Sequence, residues 1–320
     1  MPSPDPDFYF PWRNRFAQLT AGATFVLIFA GGLVTSTGSS LSVPDWPLSF
    51  GQFFPPMVGG VRYEHGHRMV AGTVGILMTA LALWTWREEP RKSVKRLAGC
   101  ALGAVLLQAA LGGITVLYLL PTAVSVAHAG LAQAFFCLIV ALALVTGRGW
   151  LSSVPGSTDA ALRTLAALTT ATVYLQILIG AVMRHTGAGL AIPDFPLAFG
   201  RLVPDLASTA VAIHFAHRVG ALVVSLLAVA TVGRVLGAHR DAPELVHPAL
   251  LLLALVALQI VLGASVLWTQ KAVLPTTSHV AVGAAILATC LVLALRAHRS
   301  LARAAVEPPL RVAPLERASA

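Results

Sequence analysis

The chain has 320 residues, of which 57% are hydrophobic and only 11% are charged. About a quarter of the residues of a soluble domain are charged, so this composition excludes an ordinary water-soluble protein. The net charge of +9 does not indicate nucleic-acid binding, because the basic residues fall in short clusters between apolar runs, as topology signals do.

Apolar runs long enough to cross a bilayer recur along the chain. About 20 apolar residues span the hydrocarbon core, and the first run is too long for a cleaved signal peptide, so we expect it to be retained. The eight predicted spans are residues 16–37, 64–86, 97–118, 123–146, 162–183, 211–235, 248–269 and 274–297. The sequence therefore predicts an all-α integral membrane protein.

Basic residues predict the orientation of these spans. Sixteen of the 22 Lys and Arg residues fall on one side, and basic loops stay in the cytoplasm. We expect a cytoplasmic N-terminal segment at 1–15, a cytoplasmic linker at 148–161 and a disordered cytoplasmic tail at 299–320. The longer loops at 38–63 and 184–210 then face the outside of the plasma membrane.

The sequence contains an internal repeat. Residues 37–51 match residues 186–200 at a constant offset, and both copies contain Pro-Asp-aromatic-Pro, which we interpret as a rigid turn with an interfacial aromatic anchor. An even number of spans per copy gives both copies the same orientation. We therefore predict two parallel-repeat four-helix bundles, at 16–147 and 162–298. The match continues in the spans through His67-Arg68 and His217-Arg218, Gln108 and Gln259, and His128 and His279.

Four of the ten histidines have a similar predicted depth. His67, His128, His217 and His279 each fall near the external end of an even-numbered span. A hydrogen bond at the interface explains any one of them, but not two per copy duplicated in register. Ionisable groups inside a membrane are costly and usually functional. Two imidazoles on facing helices can bind a haem iron from both sides. Zinc is less suited, because no further ligand recurs at that depth.

The residues beside these histidines offer further chemistry. Arg68 and Arg218 suit haem propionates, or they extend to the membrane interface, and the sequence leaves both interpretations open. Glu64 precedes His67 by three residues, where His214 precedes His217, so each lies on the same helix face as its histidine. An acid is favourable at a helix N-terminus, but a proton-transfer group at a reactive haem explains why the copies differ.

The stretch Glu64-His65-Gly66-His67-Arg68 resembles the Glu-x-x-His-Arg motif of the haem A synthase family. This family consists of membrane enzymes that convert haem O to haem A for cytochrome oxidases, and the similarity covers residues 16–298. The resemblance implies that His217 and His279, with Arg218, hold a haem b cofactor. It also implies that His67 and His128, with Arg68, frame the substrate haem O, and that Glu64 contributes to catalysis.

The resemblance also implies a reaction and partners. Two successive hydroxylations of the carbon-8 methyl of haem O would give a geminal diol, which loses water to leave a formyl group. Expected partners are haem O, the lipid bilayer, a quinone or other electron acceptor, haem O synthase and cytochrome oxidase assembly factors, with no nucleic acid. Many bacterial members carry a cysteine pair in the first external loop. This chain has no cysteine in either long external loop, which leaves its electron route open.

Two other functions fit part of the pattern. A quinol-linked di-haem b-type electron carrier would use the same four histidines without modifying its haem, but it gives no reason for the difference between Glu64 and His214. A transporter built from repeats predicts broken helices and charged residues near the bilayer midplane, neither of which the sequence shows. The absence of a haem spectrum in the purified protein would identify the transporter.

Overall fold

The fold consists of long helices joined by shorter connections. The computed structural model describes residues 9–152 and 159–304. Eight of its helices are long and apolar enough to cross a membrane, which confirms the eight predicted spans. The helices are α1 (Pro11–Ser36), α2 (Val61–Glu88), α3 (Lys92–Leu117), α4 (Thr122–Val145), the short α5 (Arg148–Ser152), α6 (Ala160–His185), α7 (Thr209–Ala238), α8 (Pro243–Trp268) and α9 (Val273–Ala304).

Several helices extend beyond the apolar runs that predicted them. Helix α1 begins at Pro11 rather than at residue 16, and its first turn contains the buried Arg13 and Asn14. Arg13 donates a hydrogen bond of 2.7 Å to the carboxylate of Glu89, and the Asn14 amide donates one of 2.6 Å to the carbonyl of Ala143. Because these polar groups have partners, the helix continues where the hydropathy falls. The tail was predicted to be disordered from residue 299, but α9 continues to Ala304, and the rest of the predicted tail, residues 305–320, lies outside the described ranges.

The long helices pack in two rings of four. In the N-terminal ring, α1 and α3 each contact α2 and α4, and in the C-terminal ring α6 and α8 each contact α7 and α9. The rings meet where α9 contacts α1 and α4 and where α4 contacts α6. Half of the apolar window of α9 is buried, against 22% to 33% for the other seven spans. Helix α9 therefore lies at the centre of the molecule.

Each ring has an apolar core of its own. Met78 and Ile139 belong to the core of the N-terminal ring, and Leu252 and Leu287 belong to that of the C-terminal ring. A smaller cluster of Ile28, Phe136 and Ala284 joins α1, α4 and α9 between the rings. In lipid, such close packing and interhelical hydrogen bonds replace the hydrophobic effect as the force that associates helices.

The loops after α1 and after α6 fold in the same way. The carboxylate of Asp45 accepts hydrogen bonds from the backbone N–H groups of Gly51 and Phe50 at 2.8 and 2.7 Å, and Asp194 makes the same two bonds in the second loop. These bonds favour the charged carboxylate and hold the pKa of Asp45 and of Asp194 below the ordinary value. The repeated sequence motif thus forms a repeated turn.

Candidate functional site

The four predicted iron ligands lie at nearly the same height in their helices. His67, His128 and His279 are the seventh residues of α2, α4 and α9, and His217 is the ninth residue of α7. Each side chain is therefore about two helical turns from the end that the sequence analysis assigns to the external face. These similar positions agree with the equal depth that the sequence predicts for the four histidines.

Each of these histidines packs against a glycine of the helix that precedes its own. In the N-terminal ring, a Cβ atom added to Gly31 of α1 would lie 3.1 Å from Cε1 of His67, and one added to Gly112 of α3 would lie 3.2 Å from Cε1 of His128. These separations are shorter than ordinary van der Waals contacts. Glycine therefore allows the imidazole to approach the neighbouring backbone.

The C-terminal ring repeats this packing. A Cβ atom on Gly180 of α6 would lie 3.0 Å from Cε1 of His217, and one on Gly263 of α8 would lie 3.2 Å from Cε1 of His279. The four glycines occupy equivalent positions of the two sequence copies. In both rings, therefore, a glycine of the preceding helix leaves room for each imidazole.

The two histidines of the C-terminal ring lie close together. The ring centroids of His217 and His279 are 6.4 Å apart and their planes are inclined by 60°. Two metal–nitrogen bonds of about 2 Å each, plus the radii of both rings, give a centroid separation of about 6 Å. The distance between the two rings would therefore suit imidazoles that hold one iron atom.

The histidines of the N-terminal ring, His67 and His128, lie within electrostatic range of each other. The Nδ1 atoms of His67, His128 and His279 are buried and have no hydrogen-bond partner among the described residues. Buried polar atoms usually have a partner, and a ligand that binds ring nitrogens fits this environment.

The donor set suits haem better than a bare metal ion. Among the residues that the structure describes, no group of three or more His, Cys, Asp or Glu side chains is arranged to hold a metal. A site with two imidazoles binds iron firmly when a macrocycle fills the other coordination positions. Each histidine pair therefore fits a haem.

Glutamines on neighbouring helices support three of the four histidines. Each side-chain amide donates to the backbone carbonyl of its histidine, which fixes the height of one helix against the next. The pairs are Gln108 with His128 at 3.0 Å, Gln176 with His217 at 2.7 Å and Gln259 with His279 at 3.0 Å. Leu27 occupies the position equivalent to Gln176, so a side chain without a donor faces the helix of His67.

Glu64 and Arg68 anchor the loop between α1 and α2. The carboxylate of Glu64 accepts hydrogen bonds from Arg68 at 2.6 Å and from the N–H group of Val43 at 2.9 Å. Arg68 also donates to the carbonyls of Asp45 and Leu48, both at 2.7 Å. The guanidinium therefore binds loop backbone, a role that neither interpretation of Arg68 from the sequence included.

His214 and Arg218 anchor the loop between α6 and α7 in the same manner. Nδ1 of His214 accepts a hydrogen bond of 3.2 Å from the N–H group of Ile192, which is equivalent to Val43. Arg218 donates to the carbonyl of Asp194 at 2.6 Å. Glu64 and His214 thus share a structural task, and they differ in charge.

Sequence reasoning missed two polar residues that connect elements near the histidines. His65 of α2 is hydrogen-bonded at 2.8 Å to the hydroxyl of Ser49 in the first loop. Arg184 of α6 donates to the carbonyl of Gly32 at 3.2 Å and to the hydroxyl of Ser36 at 2.9 Å, both in α1. In the sequence, Arg184 is a single basic residue directly after the predicted span 162–183.

Comparisons with known proteins identify the family of the chain. The family model described as COX15-CtaA, cytochrome oxidase assembly protein, matches residues 61–291. The chain is 31% identical over 270 residues to the haem A synthase of Shouchella clausii, covering 82% of this chain and 88% of that protein. It is 30% identical over 299 residues to the haem A synthase of Geobacillus kaustophilus, covering 91% and 94%. For the haem A synthase of Symbiobacterium thermophilum the identity is 33% over 262 residues, covering 78% and 84%. With its two histidine pairs and eight spans, the chain belongs to the COX15-CtaA family of cytochrome oxidase assembly proteins.

Proposed function

We propose that the chain is a haem A synthase, a membrane oxidoreductase that converts haem O to haem A. Family membership and the names of the relatives support the reaction. The observation that carries the proposal is the 6.4 Å separation of the His217 and His279 rings, a distance at which both imidazoles would hold one haem iron. The second, equivalent pair of histidines provides the site that a haem substrate requires.

The two rings are parallel repeats related by an axis along the membrane normal. Both termini lie in the cytoplasm, and both histidine pairs lie near the external face of the plasma membrane. The matching turns at Asp45 and Asp194 support the repeat, and the clusters of basic residues support the orientation.

The C-terminal pair holds haem b and the N-terminal pair receives haem O. Haem b, when bound, supplies one-electron transfer. Both histidines of the C-terminal pair are supported by a glutamine, whereas Leu27 stands beside the helix of His67. A retained cofactor benefits from rigid ligands, and a substrate site must release its product.

The reaction changes one methyl group of the substrate. Two successive hydroxylations of the carbon-8 methyl of haem O, each taking an oxygen atom from water and releasing two electrons and two protons, give a geminal diol, and loss of water leaves the formyl group of haem A. His67 and His128 orient the substrate, and Glu64 exchanges protons one helical turn before His67. Its ion pair with Arg68 keeps the carboxylate in place. A quinone or another acceptor takes up electrons, haem O synthase supplies the substrate, and oxidase assembly factors receive the product.

The substitution Glu64→Gln tests the role of the carboxylate. Glutamine can still accept the hydrogen bond of Val43 but cannot exchange a proton at neutral pH. In a host that makes haem O, we expect the purified variant to keep haem b and to yield no haem A on extraction and chromatography. His214→Gln, the matched change in the other ring, should keep haem A production. Normal haem A output from Glu64→Gln would show that the carboxylate anchors the loop and takes no part in the reaction.

One observation favours a second candidate, the di-haem electron carrier. Because Glu64 and His214 accept equivalent backbone N–H groups, the anchoring of the loops already explains an acceptor at both positions. Extraction of the purified wild-type protein separates the two functions. Haem b together with haem O or haem A supports the synthase, whereas haem b alone at two per chain supports the carrier.

A further inference from the structure

Arg184 connects the two rings at their junction. Its side chain extends from the last turn of α6 to α1, where it donates to the carbonyl of Gly32 and the hydroxyl of Ser36. The hydroxyl of Thr277 in α9 donates to the same Ser36 oxygen at 3.1 Å. Arg184 is therefore fixed where α1, α6 and α9 meet.

The charge of Arg184 has no acidic partner among the described residues. Arg13 and Arg68, by contrast, form ion pairs with Glu89 and Glu64. Arg184 is half-buried and no described carboxylate lies within ion-pair distance of it. A cation removed from water is costly without an anion, and the two neutral acceptors together with the C-terminal end of the α6 dipole offset only part of that cost.

The position of Arg184 indicates which group supplies an anionic partner for its guanidinium. Arg184 is close enough to His279 to interact with it electrostatically, and the next residue, His185, interacts in the same way with His128. The end of α6 thus lies within electrostatic range of one histidine of each pair. A haem carries two propionate carboxylates, and the planar guanidinium binds a carboxylate through paired hydrogen bonds.

We propose that Arg184 binds a propionate carboxylate of the haem held by His217 and His279. This inference rests on the proposed assignment of that pair as iron ligands. Because Arg184 also donates to α1, the bound haem is joined to the backbone of the other ring. The equivalent residue in the first copy is Thr35, which has no charge, so this anchor belongs to the retained haem alone.

A comparison of two haems tests the proposal. The full chain carries His67→Ala and His128→Ala, so that only the C-terminal pair binds iron, and is depleted of haem in detergent. It is then titrated with protohaem and with protohaem dimethyl ester, whose carboxylates are blocked. We expect the background protein to bind protohaem at least tenfold more tightly than the ester. Adding Arg184→Gln should reduce that preference to less than twofold, and Arg184→Lys should restore part of it.

The reduction potential gives a second readout. Loss of a cation near the iron favours the ferric state, so Arg184→Gln should lower the potential of the bound protohaem. A tenfold shift of the one-electron equilibrium corresponds to about 59 mV. The matched control is Arg62→Gln in the same background, since Arg62 is an exposed arginine of α2 whose guanidinium lies over the Tyr63 ring, and it should change neither the preference nor the potential.

Two results would overturn the inference in distinguishable ways. A normal six-coordinate spectrum in Arg184→Gln, with an undiminished preference for protohaem, refutes the role of Arg184 alone. A background protein that shows no six-coordinate spectrum with either haem refutes the assignment of His217 and His279 as well.

Discussion

At the scale of single residues, glycines decide how close the imidazoles lie to the neighbouring helices. The space between Gly180 and His217 admits no methyl group without a shift, since the added carbon would lie 3.0 Å from the ring. Overpacking a buried site lowers the free energy of unfolding by about 1–3 kcal/mol. A side chain at Gly180 therefore displaces either the ring or helix α6.

We predict that Gly180→Val removes the six-coordinate spectrum of the haem bound in the C-terminal ring. Valine would force His217 away from the position in which it opposes His279. Reduced-minus-oxidised spectra of the purified protein measure the effect. Gly233→Val in α7 is the matched control, because a Cβ atom at Gly233 has no neighbour within 4 Å, and it should leave the spectrum unchanged. An unaltered spectrum in Gly180→Val would show that the ring tolerates the added carbon.

The sequence indicated candidate site residues but not their contacts. His67, His128, His217 and His279 were found because the repeat duplicates them in register. The partners of Arg68 could not be predicted, because a guanidinium suits a propionate, the interface and backbone carbonyls equally well on chemical grounds. Only the path of the loop shows that carbonyls surround it.

At the scale of elements, the aspartates of the two external loops act as backbone acceptors. Each carboxylate binds two successive N–H groups across the turn. Asparagine has one acceptor oxygen and adds an NH2 group that has no acceptor in this turn. The loops are therefore sensitive to a change that alters only one atom of the side chain.

We predict that Asp45→Asn and Asp194→Asn each loosen the corresponding loop. Limited proteolysis followed by mass spectrometry should show faster cleavage between α1 and α2, or between α6 and α7. Asp205→Asn is the control, because Asp205 accepts a single hydrogen bond, from Ala207 two residues away. Equal cleavage of all three variants would contradict the anchoring role of Asp45 and Asp194.

The pH dependence of this anchoring follows from the lowered pKa values of Asp45 and Asp194. A group whose folded-state pKa is depressed stabilises the fold above its unfolded pKa, about 3.9 for aspartate, and loses that contribution as the pH falls through the folded value. Wild-type cleavage should therefore stay constant from about pH 8 to about pH 5 once it is corrected for protease activity.

Helix ends were predicted less well than helix number. A hydropathy window detects the segment that lies in lipid, but a helix ends where its backbone hydrogen bonds end. The two limits differ at α1, whose first turn carries the buried ion pair of Arg13 with Glu89. A pairing between residues 76 positions apart leaves no mark in a local sequence window.

At the scale of the whole molecule, the two rings share a design and differ beside their histidine pairs. The repeat explains the equal loops, glycines and histidines. The differences, namely Glu64 against His214, Leu27 against Gln176 and Thr35 against Arg184, all lie near the histidine pairs. Comparison of the two sequence copies found the first of these differences. It did not predict a role for Arg184, whose charge is absent from the first copy.

Two alanine variants test the division between the rings. We predict that His217→Ala loses haem b and forms no haem A, because electron transfer and product formation both need the C-terminal site. His67→Ala should keep one haem b per chain and also form no haem A. The substitutions are matched, since each truncates an imidazole that packs on an equivalent glycine. Haem extraction with quantification per chain measures both outcomes, and loss of haem b from His67→Ala would reverse the proposed assignment.

The central position of α9 also has a consequence for biosynthesis. The hydrogen bond between Ser36 and Thr277 joins residues 241 positions apart. It can form only after a delay in which most of the chain is translated. At about 5–20 residues per second, that delay is on the order of tens of seconds. During this time the N-terminal ring can close, but the face of α1 that receives Arg184 and Thr277 stays unpaired in the bilayer. The junction between the rings is therefore the last part of the protein to assemble, and a ribosome that stops before α9 leaves a first ring without its neighbour.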